Sequence, residues 1–441
     1  MHRVLLVDEI LRGVFEHIEN DVDVDRKSVR ATFVRLARVC QAWKDPALDF
    51  LWKFLFSTDA LFSLIPGAIV DDNAPFYNVE VSPETLAKFF SYASRIRGIS
   101  HHSRKFAKLS PSVLALLKSH HPEQIILPSL NSVHLVLKDA ARRNIPATLY
   151  LSEHLRSVSI DVSFISRRAN DAATHPGESL CAYLDAVARV ATELHHLRLR
   201  GRIRERMADT VATMSNLRTL SMCIGSDLTP RTLAAISSFP QLEDLRVQLD
   251  GMDVDVLAEA LIPSSTPPHS LFFPSLQTLH VRSSPAVIEA LFDRLPPTNS
   301  LHTIRLESDY RPRSVDDWTP ALALLAEKTY QTLTSLSIES LTSFCEVFDH
   351  AFPPKLHFSL DTLRPLSRLV HLTHFSIDPS VPADLSDADV STIAQWYPSI
   401  TSLGLWTRPV DAFDYPSYFT LQPRATPASL SVLAAHCTHL H

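Results

Sequence analysis

The chain has 441 residues, 45% of them hydrophobic, with a mean hydropathy near zero and a net charge of −6. That balance predicts an ordered, water-soluble protein of roughly two to four domains, and excludes a disordered chain. The mild negative charge speaks against a general binder of nucleic acid or membrane surfaces. No uninterrupted apolar run is long enough to span a bilayer. The opening Met-His-Arg-Val-Leu-Leu-Val-Asp-Glu meets acidic residues too early for a secretory leader. Five scattered cysteines without Cys-x-x-Cys, and no Asn-x-Ser/Thr, predict a reducing compartment, cytoplasm or nucleus.

In chain order, the first apolar stripe is Val7, Ile10, Leu11, Val14, Phe15 and Ile18, the spacing of one helical face. After an acidic, polar stretch from Glu19 to Ser28, a second stripe runs Val29, Phe33, Leu36, Cys40, Trp43. Asp45-Pro46 predicts the start of a third helix, Asp as N-cap and Pro in the first position, with an apolar face of Leu48, Leu51, Trp52 and Leu55. A helical unit of roughly 50 residues buries little of its own surface, so it either caps the domain behind it or completes itself against a partner.

A connecting region comes next. Ser82-Pro83 caps a helix through Leu86, Phe89, Phe90, Ala93 and Ile96, and Ser110-Pro111 opens another through Val113, Leu114, Leu116 and Leu117. Ile96-Arg97-Gly98-Ile99 reads as a degenerate first strand of the array behind it.

The rest of the chain carries a repeat. The pattern Leu-x-x-Leu-x-Leu, with other apolar residues substituting, starts at Leu130, Leu155, Leu194, Leu217, Leu242, Leu276, Leu301, Leu333, Leu372 and Ile400. The mean spacing is 30 residues, with intervals from 23 to 39. Helical stretches lie between, with plausible starts at Thr229-Pro230, Ser284-Pro285 and Asp387. This spacing and consensus resemble leucine-rich repeats, in which each copy gives one strand to a parallel inner sheet and a helix to the outside. The Asn or Cys of that consensus, eight residues after the first Leu, is missing: its slots hold Lys138, Ser163, Arg202, Gly225, Asp250, Ser284, Asp309, Leu341, Ser380 and Arg408. The expectation is an irregular α/β solenoid, a leucine-rich-repeat horseshoe of uneven curvature whose turns are satisfied by Ser, Asp or water. An ordinary α/β domain with Leu-rich parallel strands is the competing fold. Pro/Ser-rich loops are expected at Ile262–Pro274 and Arg408–Pro427, the second carrying Phe413, Tyr415, Tyr418 and Phe419 to pack across the array's end or, alternatively, to reach for a ligand. The final Cys437-Thr-His-Leu-His resembles the opening of a further repeat rather than a polar cap.

The N-terminal landmarks, in their order, resemble an F-box, the helical motif that docks its protein onto the small Skp-type adaptor of cullin–RING ubiquitin ligases. That family opens with Leu-Pro, continues with Ile/Leu positions, closes its second helix with Val-Cys-x-x-Trp and carries Leu-Trp in the third. Here Leu6-Val7 stands in the Leu-Pro slot, Ile10, Leu11 and Val14 come after it, and Val39, Cys40, Trp43, Leu51 and Trp52 match the rest. Val7 in place of Pro and the long Glu19–Ser28 loop depart from the pattern. The resemblance covers about an eighth of the chain. The arrangement of F-box, helical junction and irregular repeats also resembles the large F-box/leucine-rich groups of mushroom-forming fungi. It implies an F-box-like unit at 1–56, a helical junction at 57–129 and a repeat array at 130–441. It also implies docking of a Skp-type adaptor, and through it a cullin scaffold, with the repeats presenting a protein substrate.

In each copy the residues flanking the last Leu point away from the core, onto the concave face. Five arginines fall there, Arg198, Arg200, Arg246, Arg282 and Arg305, a row suited to bidentate capture of carboxylate or phosphate. The plainer reading is a solvated strand face neutralised by Glu243, Asp244 and Glu307. Catalytic motifs do not appear. Eight glycines form neither Gly-x-Gly-x-x-Gly nor a P-loop, and there is no Gly-x-Ser-x-Gly and no His-Glu-x-x-His. His101-His102, His120-His121 and His195-His196 lack Cys or acidic partners at metal-ligand spacing, since neighbours on a strand point to opposite sides. The sequence therefore predicts a non-catalytic adaptor without cofactor, metal, nucleic acid or membrane. The alternative is a repeat scaffold whose N-terminal helices only cap the solenoid.

Overall fold

The computed structural model describes residues 7–21, 25–70, 81–102, 108–109, 111–120, 125–137, 147–162, 178–224, 228–262, 272–308, 317–340, 358–379, 383–405 and 424–440. The chain forms two units, Met1–Met207 and Ala208–His441. Leu6, the aromatic loop residues Phe413, Tyr415, Tyr418 and Phe419, and most of the Ile262–Pro274 loop lie outside the described residues.

The first unit begins with three helices, α1 (Asp8–Glu19), α2 (Arg26–Leu36) and α3 (Gln41–Lys53). Asp25 caps α2, its carboxylate accepting from the backbone N–H of Lys27 and Ser28. Leu11, Phe15, Val29, Phe33 and Ala47 form a small core between the three, flanked by Trp43, Phe50 and Leu51. Phe15 meets Phe33, Trp43 and Phe50 edge-on at 5.7, 6.0 and 5.9 Å. The third helix starts four residues before Asp45, so Asp45 is not its N-cap and Pro46 lies inside. A tight first turn, Trp43 N–H to Cys40 O at 3.2 Å, starts the helix early. Asp45 instead takes an ion pair from Arg95 at 2.8 Å.

Then come β1 (Phe54–Leu55), α4 (Asp59–Phe62), β2 (Ile69–Val70), α5 (Pro83–Ala93), β3 (Gly98–His102), β4 (Lys108–Leu109), α6 (Pro111–His120), β5 (Ser132–Val136), β6 (Ser157–Asp161), α7 (Glu178–Val190) and β7 (His196–Arg200). Strands β1, β3, β5, β6 and β7 form one parallel sheet in chain order, while β2 and β4 pair antiparallel. Of the expected degenerate strand at Ile96–Ile99, Gly98 and Ile99 open β3, which runs on to His102, while Ile96 and Arg97 precede it. Gly98 has a local reason: a Cβ there would stand 2.6 Å from the Phe54 ring on β1. Inside this unit Tyr150 hydrogen-bonds His101 Nδ1 at 2.5 Å, and the Tyr183 hydroxyl donates to Tyr150 O at 3.1 Å. Burial pushes both phenols above their ordinary range.

A short helix, α8 (Glu205–Val211), crosses from the first unit into the second. The second unit alternates β8 (Thr219–Cys223), α9 (Pro230–Ser237), β9 (Asp244–Gln248), α10 (Val254–Ala260), β10 (Thr278–Arg282), α11 (Pro285–Asp293), β11 (Thr303–Ser308), α12 (Trp318–Thr329), β12 (Ser335–Ser340), α13 (Leu360–Leu363), β13 (His374–Pro379), α14 (Asp387–Trp396), β14 (Ser402–Gly404) and α15 (Ala428–His436). Its seven strands are parallel and ordered as in the chain. Strand then helix, repeated around a parallel sheet, is an α/β leucine-rich-repeat solenoid.

The consensus leucines explain the register. Leu220, Leu245, Leu279, Ile304, Leu336 and Phe375 stand opposite one another across successive strands. Val247, Val281, Leu306, Ile338 and Ile377 form a second ladder. All eleven are buried, so two continuous apolar rows lie beneath the sheet. Helix starts obey local chemistry. Thr229 caps α9 through Thr232 N–H, and Ser386 with Asp389 makes a capping box before α14, which starts at Asp387 as expected. Ser284 precedes Pro285 but makes no side-chain cap bond.

The missing Asn/Cys slot is offset by the backbone at the other end of each strand. In most copies the residue after the first apolar position offers its carbonyl to two N–H groups of the next repeat. Arg97 O accepts from Asn131 and Ser132, Asn131 O from Arg156 and Ser157, and Arg156 O from His195 and His196. In the second unit the series runs through Arg218, Glu243, Gln277, His302, Thr334 and Thr373. Thr334, Thr373 and Thr401 hydroxyls add to the same carbonyls at 3.1, 3.0 and 2.9 Å.

Candidate interaction surfaces

The N-terminal helices divide the expected adaptor-binding residues into three groups. Val7, Ile10 and Val14 stand outside, 42%, 41% and 42% exposed, along the edge of the same apolar face of α1 that buries Leu11 and Phe15. Val39, 50% exposed, belongs to the turn between α2 and α3. Leu11 is buried in the three-helix core, so it supports the stripe from within. Cys40, Trp43 and Leu51 are half-buried, the latter two against that core. Cys40 sits at the N-cap of α3, and Trp43 lies in its first turn rather than closing α2. Trp52 is also half-buried and packs on Tyr92 of α5, ring centroids 4.6 Å apart. Ion pairs hold this arrangement: Arg12 to Asp49 at 2.8 Å, Lys53 to Glu19 at 2.5 Å, and Arg95 to both Asp45 and Asp49.

On the sheet face of the first unit, Arg198 and Arg200 are exposed on β7. Arg200 pairs with Asp161 of the neighbouring strand at 2.9 Å. Arg198 stands opposite Ser159.

The sheet face of the second unit carries Arg246, Arg282 and Arg305. One row across the strands reads Ser221, Arg246, His280, Arg305, Ser337, Ser376, Gly404. The adjoining row reads Gln248, Arg282, Glu307, Glu339 and Asp378. At the centre, His280 Nε2 stands 2.7 Å from Glu307 Oε1, both side chains about nine-tenths buried. Arg305 Nη2 lies 3.2 Å from Glu307 and 2.7 Å from Glu339. Arg282 Nε lies 3.3 Å from Asp250. The His280 imidazole, in contact at 2.7 Å, holds the Glu307 carboxyl below its ordinary range against the opposing effect of burial, with smaller help from the charges of Arg305 and Arg246.

The expected arginine row is thus interleaved with acids from its own and neighbouring repeats. Arg200, Arg282 and Arg305 are ion-paired; for Arg246 the nearest described charge effect is its attraction to Glu307. Glu307 is one of the acids expected to neutralise this face; Asp161, Asp250 and Glu339 are partners that the sequence pattern does not pair with these arginines. Their spacing of 39, 32 and 34 residues from their arginines becomes proximity only through the strand register. Glu243, also expected as a neutraliser, faces Arg218 at 4.0 Å.

Of the histidine pairs, His101 is buried on Tyr150, and His195 and His196 lie at the entry to β7. Among the described residues no group of three or more His, Cys, Asp or Glu could hold a metal ion, and no helix is long and apolar enough to cross a membrane. Cys40, Cys181, Cys223 and Cys437 are free thiols.

No protein-family model and no curated protein matches the chain. Among solved structures, an internalin from Listeria monocytogenes is similar at 14% identity and a TM-score of 0.38, over 87% of this chain and 86% of that one. The plant peptide hormone receptor RGFR1 in complex with RGF2 is similar at 11% identity and a TM-score of 0.27. That match covers 77% of this chain, which spans half of the receptor's length.

Proposed function

We propose that this chain is a non-catalytic protein-interaction adaptor: its N-terminal helices dock a Skp-type subunit of a cullin–RING ubiquitin ligase, and its repeats hold a protein substrate. The observation that carries the reading is the exposed stripe of Val7, Ile10 and Val14 on α1. A helix whose apolar face buries Leu11 and Phe15 but leaves three branched residues along the edge of that face exposed offers that edge to a second apolar partner. The order of landmarks from Ile10 to Trp52, resembling an F-box, names the class of that partner. A ligase that brings substrate to a loaded enzyme gains rate by proximity, which asks no reactive residue of the adaptor. Such a role belongs in the cytoplasm or nucleus.

The repeat face supplies the second half of the reading. Its mixed rows of Arg, His, Glu and Ser suit a polar peptide segment, with Arg246 as the cation best placed to meet an incoming carboxylate. One feature favours the capping alternative: Trp52, a landmark of the docking motif, is engaged internally by Tyr92. On that alternative the chain is a repeat scaffold without a ubiquitin role. Co-purification of the full chain with a Skp-type adaptor separates the two, because the capping reading predicts no complex.

A further inference from the structure

In the first unit, a cleft of about 460 Å³ opens between α1, α3 and the C-terminal end of α5, within the usual size range of small-ligand sites. Four cations line it: Arg12 of α1, Lys53 at the end of α3, and Arg95 and Arg97 of the turn between α5 and β3. Asp49 is the one acid among the lining residues, and Ser91 and Ser94 add hydroxyls.

The charges are unevenly satisfied. Asp49 is shared between Arg12 and Arg95, which also draw on Asp8 and Asp45. Lys53 reaches Glu19, outside the lining. Arg97 is exposed, and among the described residues its guanidinium has no acidic partner. Its backbone N–H donates to Lys53 O at 2.8 Å, so the two cations leave neighbouring rungs of the sheet edge, about 4.8 Å apart by strand spacing. The Ser94 hydroxyl is committed to Ser91 O at 3.0 Å, which leaves the Ser91 hydroxyl as the available donor.

We infer that this cleft binds a phosphate-type oxyanion, seated between Arg97 and Lys53 with Ser91 donating to it. A planar guanidinium offers two parallel N–H donors to two oxygens of one phosphate, and the ammonium supplies a compact second charge. A dianion there offsets the excess of cations over acids in the lining, which a neutral ligand would not. The Asp49 carboxylate, already bridging two guanidiniums, confines the anion to the Arg97 side by repulsion. This inference is independent of the proposed docking and substrate-holding roles.

The test is equilibrium dialysis of the full chain at low salt against labelled orthophosphate and, separately, phosphoserine. Saturable binding of either supports the site, and the tighter of the two tells a free phosphate from a phosphorylated side chain. Arg97→Glu is expected to weaken binding about tenfold or more without moving Tm, because Arg97 has no described ion pair to lose. Lys53→Gln should weaken it less. Arg156→Glu changes a cation on the same sheet edge, outside the cleft and paired with Glu193, and should leave binding intact. No saturable binding of either probe, or equal losses in Arg97→Glu and Arg156→Glu, overturns the inference.

Discussion

Trp52 lies against Tyr92, ring centroids 4.6 Å apart and planes tilted by 42°, joining the third helix to the helix that precedes the first full strand. Arg95, one turn beyond Tyr92, reaches back to Asp45 and Asp49 on the same third helix. The N-terminal helices are therefore braced onto the beginning of the repeats. Trp52→Ala should destabilise the first unit by about 2 kcal/mol, less than a fully buried Trp because the ring is half-exposed. Urea unfolding of the full chain, tracked by a probe in the helical unit, reads this loss.

The apolar ladders carry the second unit. Leu279 is fully buried between Leu245 and Ile304, with neighbours on both sides that cannot collapse without leaving register. Leu279→Ala should cost about 3 kcal/mol, the transfer of the lost methyl groups plus the cavity left behind. A shift in denaturation midpoint of less than a third of that would mean that the ladder repacks freely.

Glu307 ties stability to pH. Its carboxyl is held below the ordinary range first by its contact with His280, so the folded state prefers the ionised form. The stabilisation is present above the unfolded pKa and is lost as pH falls through the lower folded value. Glu307→Gln removes that contribution. The variant should be less stable at neutral pH and flatter in its acid denaturation curve below the usual carboxylate range. Circular dichroism across an acid titration gives both observations.

Much of the fold was legible because its signal is periodic. Leu-x-x-Leu-x-Leu marks the two buried positions of each strand, and intervals near 30 residues leave room for one crossover helix. The β3 strand was half visible, its first two residues lying in the expected Ile96–Ile99 stretch. The start of α3 was not, because Asp-Pro is an N-terminus signal that the early turn at Cys40 pre-empted. Nor was the bifurcated carbonyl ladder, which is backbone chemistry and leaves no side-chain trace except the threonines at 334, 373 and 401. On the candidate surfaces, helical spacing put Val7, Ile10 and Val14 on a common stripe with Leu11, yet only the three-helix packing separates outside from inside. The concave arginines were legible as positions, while their acid partners required the register between strands.

The interleaving changes what charge reversal should do. Arg305 is already offset by Glu307 and Glu339, whereas Arg246 has no ion pair among the described residues. Arg246→Glu should weaken capture of an Asp/Glu-rich peptide more than Arg305→Glu, with a difference that shrinks as salt rises. Fluorescence anisotropy with a labelled acidic peptide at two ionic strengths measures it; equal losses would remove Arg246 from the binding role.

The proposed function rests above all on adaptor docking by the outward stripe of α1. Ile10→Asp with Val14→Asp changes two side chains that are about two-fifths exposed, so stability should move by less than about 1 kcal/mol. The deciding measurement is isothermal titration of a purified Skp-type adaptor into the wild-type chain and the double variant, with Tm recorded for each. Saturable binding by the wild type and none by a variant that stays folded is the expected result; no binding by the wild type, or unchanged binding by the variant, contradicts the docking role.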